Sequence, residues 1–490
     1  MYLGLDLGTS ELKALLLSDQ HKVIAPTGSP LSVQRPQALW SEQNPSDWWH
    51  ALEAVMDQLH REYPQALAQL RGIGLSGQMH GATLLDGNDQ VLHPCILWND
   101  GRSGAQCKQL SQDIPELSQI TGNLAMPGFT APKLQWVREN EPELFARIKR
   151  VLLPKDWLRL QLTGEAVSEM SDAAGTLWLD VGRRDWSDHM LAATGLTRGH
   201  MPRLIEGSEV SASLKPALCQ RWGLPESVLV AGGAGDNAAS AVGMGLVRPG
   251  DGFVSLGTSG VIFVSTSAFE PNPRQALHAF CHALPARWHV MSVMLSAASA
   301  VTWATRLLGY ASEAALLQEA TSLSAQDQDR SPLFLPYLNG ERSPHNNPHA
   351  TGAWMNLRSS HSREHLAYAV AEGVGFGLLD GLRSIPTMNP PLQSLSLVGG
   401  GSRSEGWAQL LADILGIKLR VHQDSNNAGA LGAARLAWLA TGGTLNDVCT
   451  TPAVSKTFIP DAKRHSSLQV RHMQFGQLYQ AQPQPTGLTY

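Results

Sequence analysis

Positive charge is scarce in this chain: 37 lysines and arginines are outnumbered by 42 aspartates and glutamates, for a formal charge of -5 at pH 7. No dense Lys/Arg run occurs, so the basic footprint that a nucleic-acid backbone requires is missing. Cysteine is sparse as well. Cys95, Cys107, Cys219, Cys281 and Cys449 are odd in number, scattered and never paired as Cys-x-x-Cys. That pattern excludes a disulfide frame and a cysteine zinc site and reads as five reduced core residues. No run of about 18 uncharged apolar residues exists, and Met1 to Asp6 carries neither a basic segment nor a cleavable apolar one. A cytoplasmic protein with no membrane partner is expected. There is no Gly-x-x-x-x-Gly-Lys-Ser/Thr loop and no Gly-x-Gly-x-x-Gly fingerprint, which argues against P-loop and Rossmann nucleotide sites.

The 490 residues are 43% hydrophobic and 16% charged, with 46 glycines and 29 prolines, the composition of an ordinary globular enzyme. The length favours two large domains. Near the start, Leu3, Leu5 and Leu7 alternate with Tyr2, Gly4 and Asp6, a period-2 strand that stops at Gly8-Thr9-Ser10. A return strand is predicted from Leu12 to Leu17, and a third from Lys22 to Ala25. Trp48, Leu52, Val55, Met56 and Leu59 follow helical spacing, with Ser46 as the predicted N-cap, and a strand resumes at Ile73. Strand, helix, strand indicates an α/β layer.

The opening recurs half a chain later as Gly252 to Leu256, Gly257-Thr258-Ser259, then Gly260 to Val264. A duplicated domain gives such a repeat. The copies differ at one position: Asp6 is matched by Ser255. Division is expected at the turn-rich Gly245 to Gly250, giving 1–245 and 246–490. A polar loop is expected over Ser322 to Asp329 and a frayed tail after Gln482.

A glycine turn between strands lets backbone N–H groups converge on an anion such as phosphate. Thr9, Ser10, Thr258 and Ser259 add hydroxyls, and Lys13 adds charge behind the first turn. A plain tight turn is the alternative. Asp6 lies among leucines at a strand end, where an unpaired carboxylate costs several kcal/mol. Mg²⁺ shared with nucleotide phosphates would compensate it; so would a bridge to Lys13 or a backbone amide. Val228 to Ala241 reads as strand, glycine turn and small-residue helix, placing Asp236 at a helix start, either as an N-cap or as a base for an attacking hydroxyl. Gly399-Gly400-Gly401 precedes a helix with a Ser402/Glu405 capping box and permits close approach of a base or ribose. His80 stands on a loop after the Ile73 strand, where ligand contacts concentrate, although a lone loop histidine is commonly incidental. Asp100 with Arg102, and Glu341 with Arg342, fit structural ion pairs.

In order along the chain, Asp6 to Ser10, Gly235-Asp236-Asn237, Ser255 to Gly260 and Gly399 to Gly401 resemble the FGGY carbohydrate kinases, of the actin, Hsp70 and hexokinase superfamily. The resemblance spans roughly Tyr2 to Leu439. One family signature is intact as Gly128 to Val137; the other, near Gly352 to Leu357, has Asn356 where glycine is usual and Ala371 in place of a larger apolar residue. Gly77 to Thr83, Leu97 to Arg102 and Met170 to Thr176 resemble the bacterial members that act on D-xylulose. The resemblance implies two duplicated actin-like ATPase (ribonuclease H-like) α/β domains flanking a cleft. It also implies an ATP-dependent kinase for D-xylulose, using Mg²⁺. L-ribulose, L-fuculose and glycerol are alternative substrates, and an actin-like or Hsp70-like ATPase acting on protein is the alternative class. By the same resemblance Met79, His80 and Asn237 contact the sugar, Asp236 is the catalytic base and Asp6 acts through the metal. Gly8, Thr9, Gly257 and Thr258 hold phosphates, and Gly400, Gly401 and Asn427 border the adenosine. A homodimer stays open.

Overall fold

The computed structural model describes residues 1–388, 391–423 and 427–482; the tail after Gln482 lies outside them. Two seven-stranded sheets organise the molecule. In the first, Tyr2–Leu7 pairs antiparallel with Glu11–Leu17, which pairs with Val23–Pro30; on its other side it runs parallel to Gly72–Gly77, followed by Leu229–Ala231 and Val210–Ser213. In the second, Gly252–Leu256 pairs with Gly260–Thr266 and through it with Trp288–Met294. Its other side runs parallel to Ser394–Val398 and then Lys418–His422, with Val454–Phe458 at the edge. The repeat read from sequence is thus a repeat of sheet topology. All five cysteines are free and buried.

The period-2 strand is buried on both faces, which simple alternation does not predict. Leu3, Leu5 and Leu7 pack with Trp48, Leu52, Val55 and Leu59 of the helix Pro45–Glu62. The opposite face, with Tyr2, is covered by Ala430, Ala434 and Ala437 of the helix Ala428–Ala440, which comes from the far end of the chain. Contact there is backbone to backbone. A Cβ on Gly4 would fall 1.8 Å from the Ala430 carbonyl oxygen, and one on Gly74 at 1.8 Å from that of Ala433. Only glycine permits the approach, and overpacking of this kind costs about 1–3 kcal/mol or more. The helix therefore rivets the two halves at the strand that carries Asp6.

Several local expectations shift. Pro45 occupies the first turn of its helix, so Asn44, not Ser46, is the cap residue. The segment predicted as a loop from Ser322 contains the helix Ala325–Arg330, capped by Ser324. Gly400–Arg403 forms a 3-10 turn in which Ser402 donates to the Gly399 carbonyl at 2.7 Å. Capping of Glu405–Leu415 accordingly falls to Ser404, and no Ser402/Glu405 box forms. Gly235 is the cap residue of Asp236–Gly243, so Asp236 is the first helical residue and not the cap. Its carboxylate is thereby spared from capping.

Candidate active site

Register explains where the acidic residues meet. Asp6 pairs with Ser76 and Leu7 with Gly77, while Ala234 pairs with Ser76 and Gly235 with Gly77, all in parallel. Three strands thus end side by side, and Asp6, the loop after Gly77, and Asp236 emerge at their carboxyl ends, where open α/β sheets bind ligands.

Asp6 Oδ1 accepts from the Ser76 hydroxyl at 2.8 Å. Burial raises its pKa, against the lowering effects of Ser76 and of Lys13, its cross-strand neighbour. Oδ2 lies against the first turn of Ala428–Ala440, where a Cβ on Gly429 would fall 2.5 Å away. Asp236 Oδ1 accepts from the Asn237 backbone N–H at 2.7 Å and from the Asn237 side-chain amide at 2.9 Å. Oδ2 is left for another proton. Burial, reinforced by the negative charge of Asp6, pushes the Asp236 pKa up to about 6. Two neighbouring carboxylates that repel one another are an arrangement that a cation or a proton relieves.

His80 adopts the left-handed backbone conformation, φ 70°, uncommon for a residue with a side chain and typical of sites where local strain is maintained by surrounding contacts. Those contacts are visible. The His80 carbonyl accepts from Lys133 Nζ at 2.9 Å and from Thr130 Oγ1 at 3.0 Å, which gives the Gly128 to Val137 signature a physical task. Lys133 is fully buried, and its pKa is lowered by burial to about 7. The His80 ring is 2.6 Å from the Gly175 carbonyl through Nδ1 and meets Phe129 edge-on at 4.6 Å between centroids. Burial lowers its pKa to about 3, so the imidazole is neutral and Nδ1 donates. A Cβ on Gly175 would strike His80 Nδ1 at 2.7 Å and Met79 Cε at 2.9 Å, and one on Gly235 would strike Met79 Cγ at 2.9 Å. Met79, His80 and Asp236 thus line one end of the cleft.

Behind this wall lies a cluster of buried charge. Lys155 Nζ meets Asp156 at 2.8 Å, Asp172 at 3.0 Å and Glu169 at 3.3 Å, and Arg159 meets Asp156 at 2.6 Å. Burial leaves three carboxylates against two cations, and Asp172, whose pKa is raised well above the ordinary range by burial, retains the extra proton. The cluster grips the turn before Asp236 twice: Arg159 donates to the Gly232 carbonyl, and Ser171, whose hydroxyl donates to Glu169, accepts from the Gly235 N–H at 3.1 Å.

On the other side, a pocket of about 690 Å³ brings together Gly257, Thr258, Gly400, Gly401, Thr302 and Trp407. Ser255 pairs in parallel with Val398, so the second Gly-Thr-Ser turn and Gly399 to Gly401 also leave adjacent strand ends. Of the residues read from sequence, Gly257, Thr258, Gly400 and Gly401 meet here. Asn427 does not line this pocket; it opens the helix that reaches Asp6. In the first turn the Thr9 hydroxyl donates to Gln78 at 3.0 Å and accepts from the Trp98 indole at 3.0 Å, so its proton is committed to Gln78. Asp100 and Arg102 do pair, at 2.8 Å, with the guanidinium 3.6 Å over the Trp40 ring. Glu341 and Arg342 do not. Glu341 spends its carboxylate on the backbone N–H groups of Leu295 and Arg342, at 2.9 and 2.7 Å. Sequence reasoning missed His278, Phe280 and Thr302, which carry no local motif.

Two topologically repeated lobes, each with a glycine turn at a strand end, around paired carboxylates and an apolar-walled pocket, define an ATP-dependent phosphotransferase of the actin-like fold. Comparison with known proteins makes that class specific. The N-terminal domain of the FGGY family of carbohydrate kinases matches residues 1–243, and its C-terminal domain matches residues 252–441. Xylulose kinase of Escherichia coli K12 is 49% identical over 98% of this chain and 99% of its own, and that of Lactococcus lactis is 38% identical over 93% and 90%. A crystal structure of a "xyloylose kinase" from Brucella ovis superposes with a TM-score of 0.94 at 48% identity, covering 98% of this chain and 99% of that one. The chain belongs to the FGGY family of carbohydrate kinases, and it is an ATP-dependent sugar kinase. No helix among the described residues is long and apolar enough to cross a membrane.

Proposed function

We propose that this enzyme phosphorylates D-xylulose with ATP, giving D-xylulose 5-phosphate and ADP. The observation that carries the reading is Asp236: one oxygen held by Asn237, the other without a donor among the described residues, beside Met79 and His80. The names of the relatives at 49% and 38% identity supply the sugar. Residues 1–245 form the half that holds the sugar and performs the chemistry, and residues 246–490 form the nucleotide half.

Met79, neutral His80 and Asn237 position the ketose. Asp236 Oδ2 takes the proton of its terminal hydroxyl as that oxygen bonds to the γ-phosphorus and the bond to the bridging oxygen of ADP breaks. With a pKa of about 6 the carboxylate is ionised at neutral pH. The Gly8 and Gly257 N–H groups close their own turns on the carbonyls of Glu11 and Ser259, so the N–H groups of Thr9, Ser10, Thr258 and Ser259 are the ones offered to the phosphates, with Lys13 adding charge, while Gly400 and Gly401 border the adenosine.

Asp6 fits a Mg²⁺ role: among the described residues its Oδ2 has no hydrogen-bond donor, and a like charge stands beside it. No group of three or more His, Cys, Asp or Glu side chains among the described residues is arranged to hold a metal. The ion would be held by one or two carboxylates, water and substrate phosphates. When bound, the ion neutralises charge on the transferring phosphoryl group.

A coupled ADP-release screen over D-xylulose, L-ribulose, L-fuculose and glycerol tests the substrate. D-Xylulose should give the highest kcat/KM; preference for another sugar by tenfold would overturn this reading. Sedimentation equilibrium on the same sample checks for a homodimer.

A further inference from the structure

The sugar side of the cleft is built mainly from the first half of the chain, but one cation enters it from the second. Arg342 lies in the connection between the strands Leu333–Leu335 and Ala353–Met355. Its backbone is pinned on both sides. Glu341, almost fully buried, accepts the Arg342 N–H and that of Leu295. The next residue, Ser343, donates its N–H to the Val293 carbonyl at 3.0 Å and its hydroxyl to the Ala276 carbonyl at 2.7 Å.

The side chain, by contrast, is nearly unsatisfied. A guanidinium carries five N–H donors, and among the described residues this one contacts a single acceptor, His278 Nε2, at 3.4 Å. His278 is set up to accept, because its Nδ1 is 2.8 Å from Asn123 Oδ1 and donates there. Glu341 offers nothing more: its Oε2 is buried without a partner, so the guanidinium does not reach it. The residue is half-buried, and none of its nitrogens is among the sealed, unpartnered polar atoms, so its remaining N–H groups are open to a ligand. Its neighbourhood is the sugar wall. The His278 ring stacks on Phe280 at 5.6 Å, Phe280 lies 6.2 Å from the His80 ring, and the arginine's charge reaches His80 itself.

We propose that Arg342 is a sugar-recognition residue supplied by the nucleotide half, with its free N–H groups donating to hydroxyl or carbonyl oxygens of the ketose. The inference rests on the ketose-kinase reading. It has a structural consequence: Leu295, tied to Glu341, leads into Ala297, whose N–H donates to the Thr258 carbonyl at 3.0 Å. Sugar bound by Arg342 is thereby linked to the phosphate turn.

The test compares wild type with Arg342→Met and Arg342→Lys on D-xylulose and its 1-, 3- and 4-deoxy analogues. Melting temperature and ADP binding by calorimetry serve as folding controls. Both variants should raise the sugar KM about tenfold or more while the ATP KM changes less than about twofold. For at least one deoxy analogue the wild-type loss should disappear in Arg342→Met, the non-additivity expected when one interaction is removed twice. Losses that add for all three analogues, or an unchanged sugar KM in both variants, would overturn Arg342's role alone. A wild-type protein that turns over no ketose would overturn the functional reading, and this inference with it.

Discussion

The two Gly-Thr-Ser hairpins share strand order but not register: Leu7 pairs with Leu12 across a four-residue turn and Leu256 with Gly260 across a three-residue one, and their surroundings differ as well. The first presents Asp6 at its strand end, and the hydroxyl of its Thr9 is bound into the chain Trp98, Thr9, Gln78. The second has Ser255 at the matching position, and the Thr258 carbonyl accepts from Ala297 N–H at 3.0 Å and Ser299 Oγ at 2.8 Å, fastening it to the helix Ala298–Leu307 of the nucleotide pocket. A duplicated anion-binding turn has thus diverged by one charge and by what each threonine holds. The difference teaches that a phosphate grip alone is generic, and that under the proposed function the reaction belongs to the half whose strand ends carry carboxylates.

The strongest way to break this comparison is to remove the base. Asp236→Asn should lower kcat by about 10²–10⁴-fold, the usual contribution of general base catalysis, with ADP binding by calorimetry unchanged. Weaker nucleotide binding instead would place Asp236 in the nucleotide half. Next, Asp6→Asn should cost about 10²-fold or more in kcat, the loss of several kcal/mol of charge neutralisation. Adding Ser255→Asp should not restore it, because the second turn has no facing carboxylate; recovery of rate would make the two turns equivalent.

Glycine substitutions separate the two ligands more gently. Gly401→Ala would place a Cβ 2.7 Å from Leu256 Cβ and from the Trp407 ring, and Gly175→Ala would place one 2.7 Å from His80 Nδ1. The first should raise the ATP KM by about tenfold and the second the sugar KM by about tenfold, each sparing the other substrate. Reversed effects would invert the assignment of halves.

The pH profile reports on the carboxylate pair. Asp236 must be ionised to accept a proton, so kcat/KM for the sugar should fall as pH drops through about 6. In Asp6→Asn the midpoint should move lower, since the Asp6 charge is one cause of the raised pKa. The smallest effect is on stability. A carboxyl whose folded pKa is raised stabilises the fold fully below its unfolded value, near 4, and loses that stabilisation as pH rises through about 6. At pH 8 the wild type bears the full cost of the charge. Asp236→Asn should therefore be more stable there by on the order of 2 kcal/mol, read as a raised melting temperature at pH 8 and little change at pH 4.

Much of this was legible from local chemistry. Gly8 and Gly257 announce turns because period-2 apolar patterns stop at them, and Asp6 and Asp236 stand out because an acid at the end of a buried strand needs a reason. Capping was less legible: Ser46, Ser402 and Asp236 were each displaced as cap residues, by Pro45, by the 3-10 turn and by Gly235, since cap identity depends on where the first helical residue falls. Arg342 looked like one half of an ion pair because Glu341 adjoins it, yet adjacent residues on an extended segment point apart, and only the fold shows that Glu341 faces the backbone.

By itself the sequence determined the duplicated hairpins, the α/β layering, the reduced cysteines and the carboxylates at strand ends, because strand period, glycine turns and the cost of buried charge act over a few residues. Tertiary structure alone decided that Ala428–Ala440 returns to cover the strand of Asp6, that Lys155 gathers three acids behind the turn before Asp236, and that Arg342 and His278 come to Phe280 beside His80. These contacts join residues far apart in the chain, and no local pattern encodes the topology that brings them together.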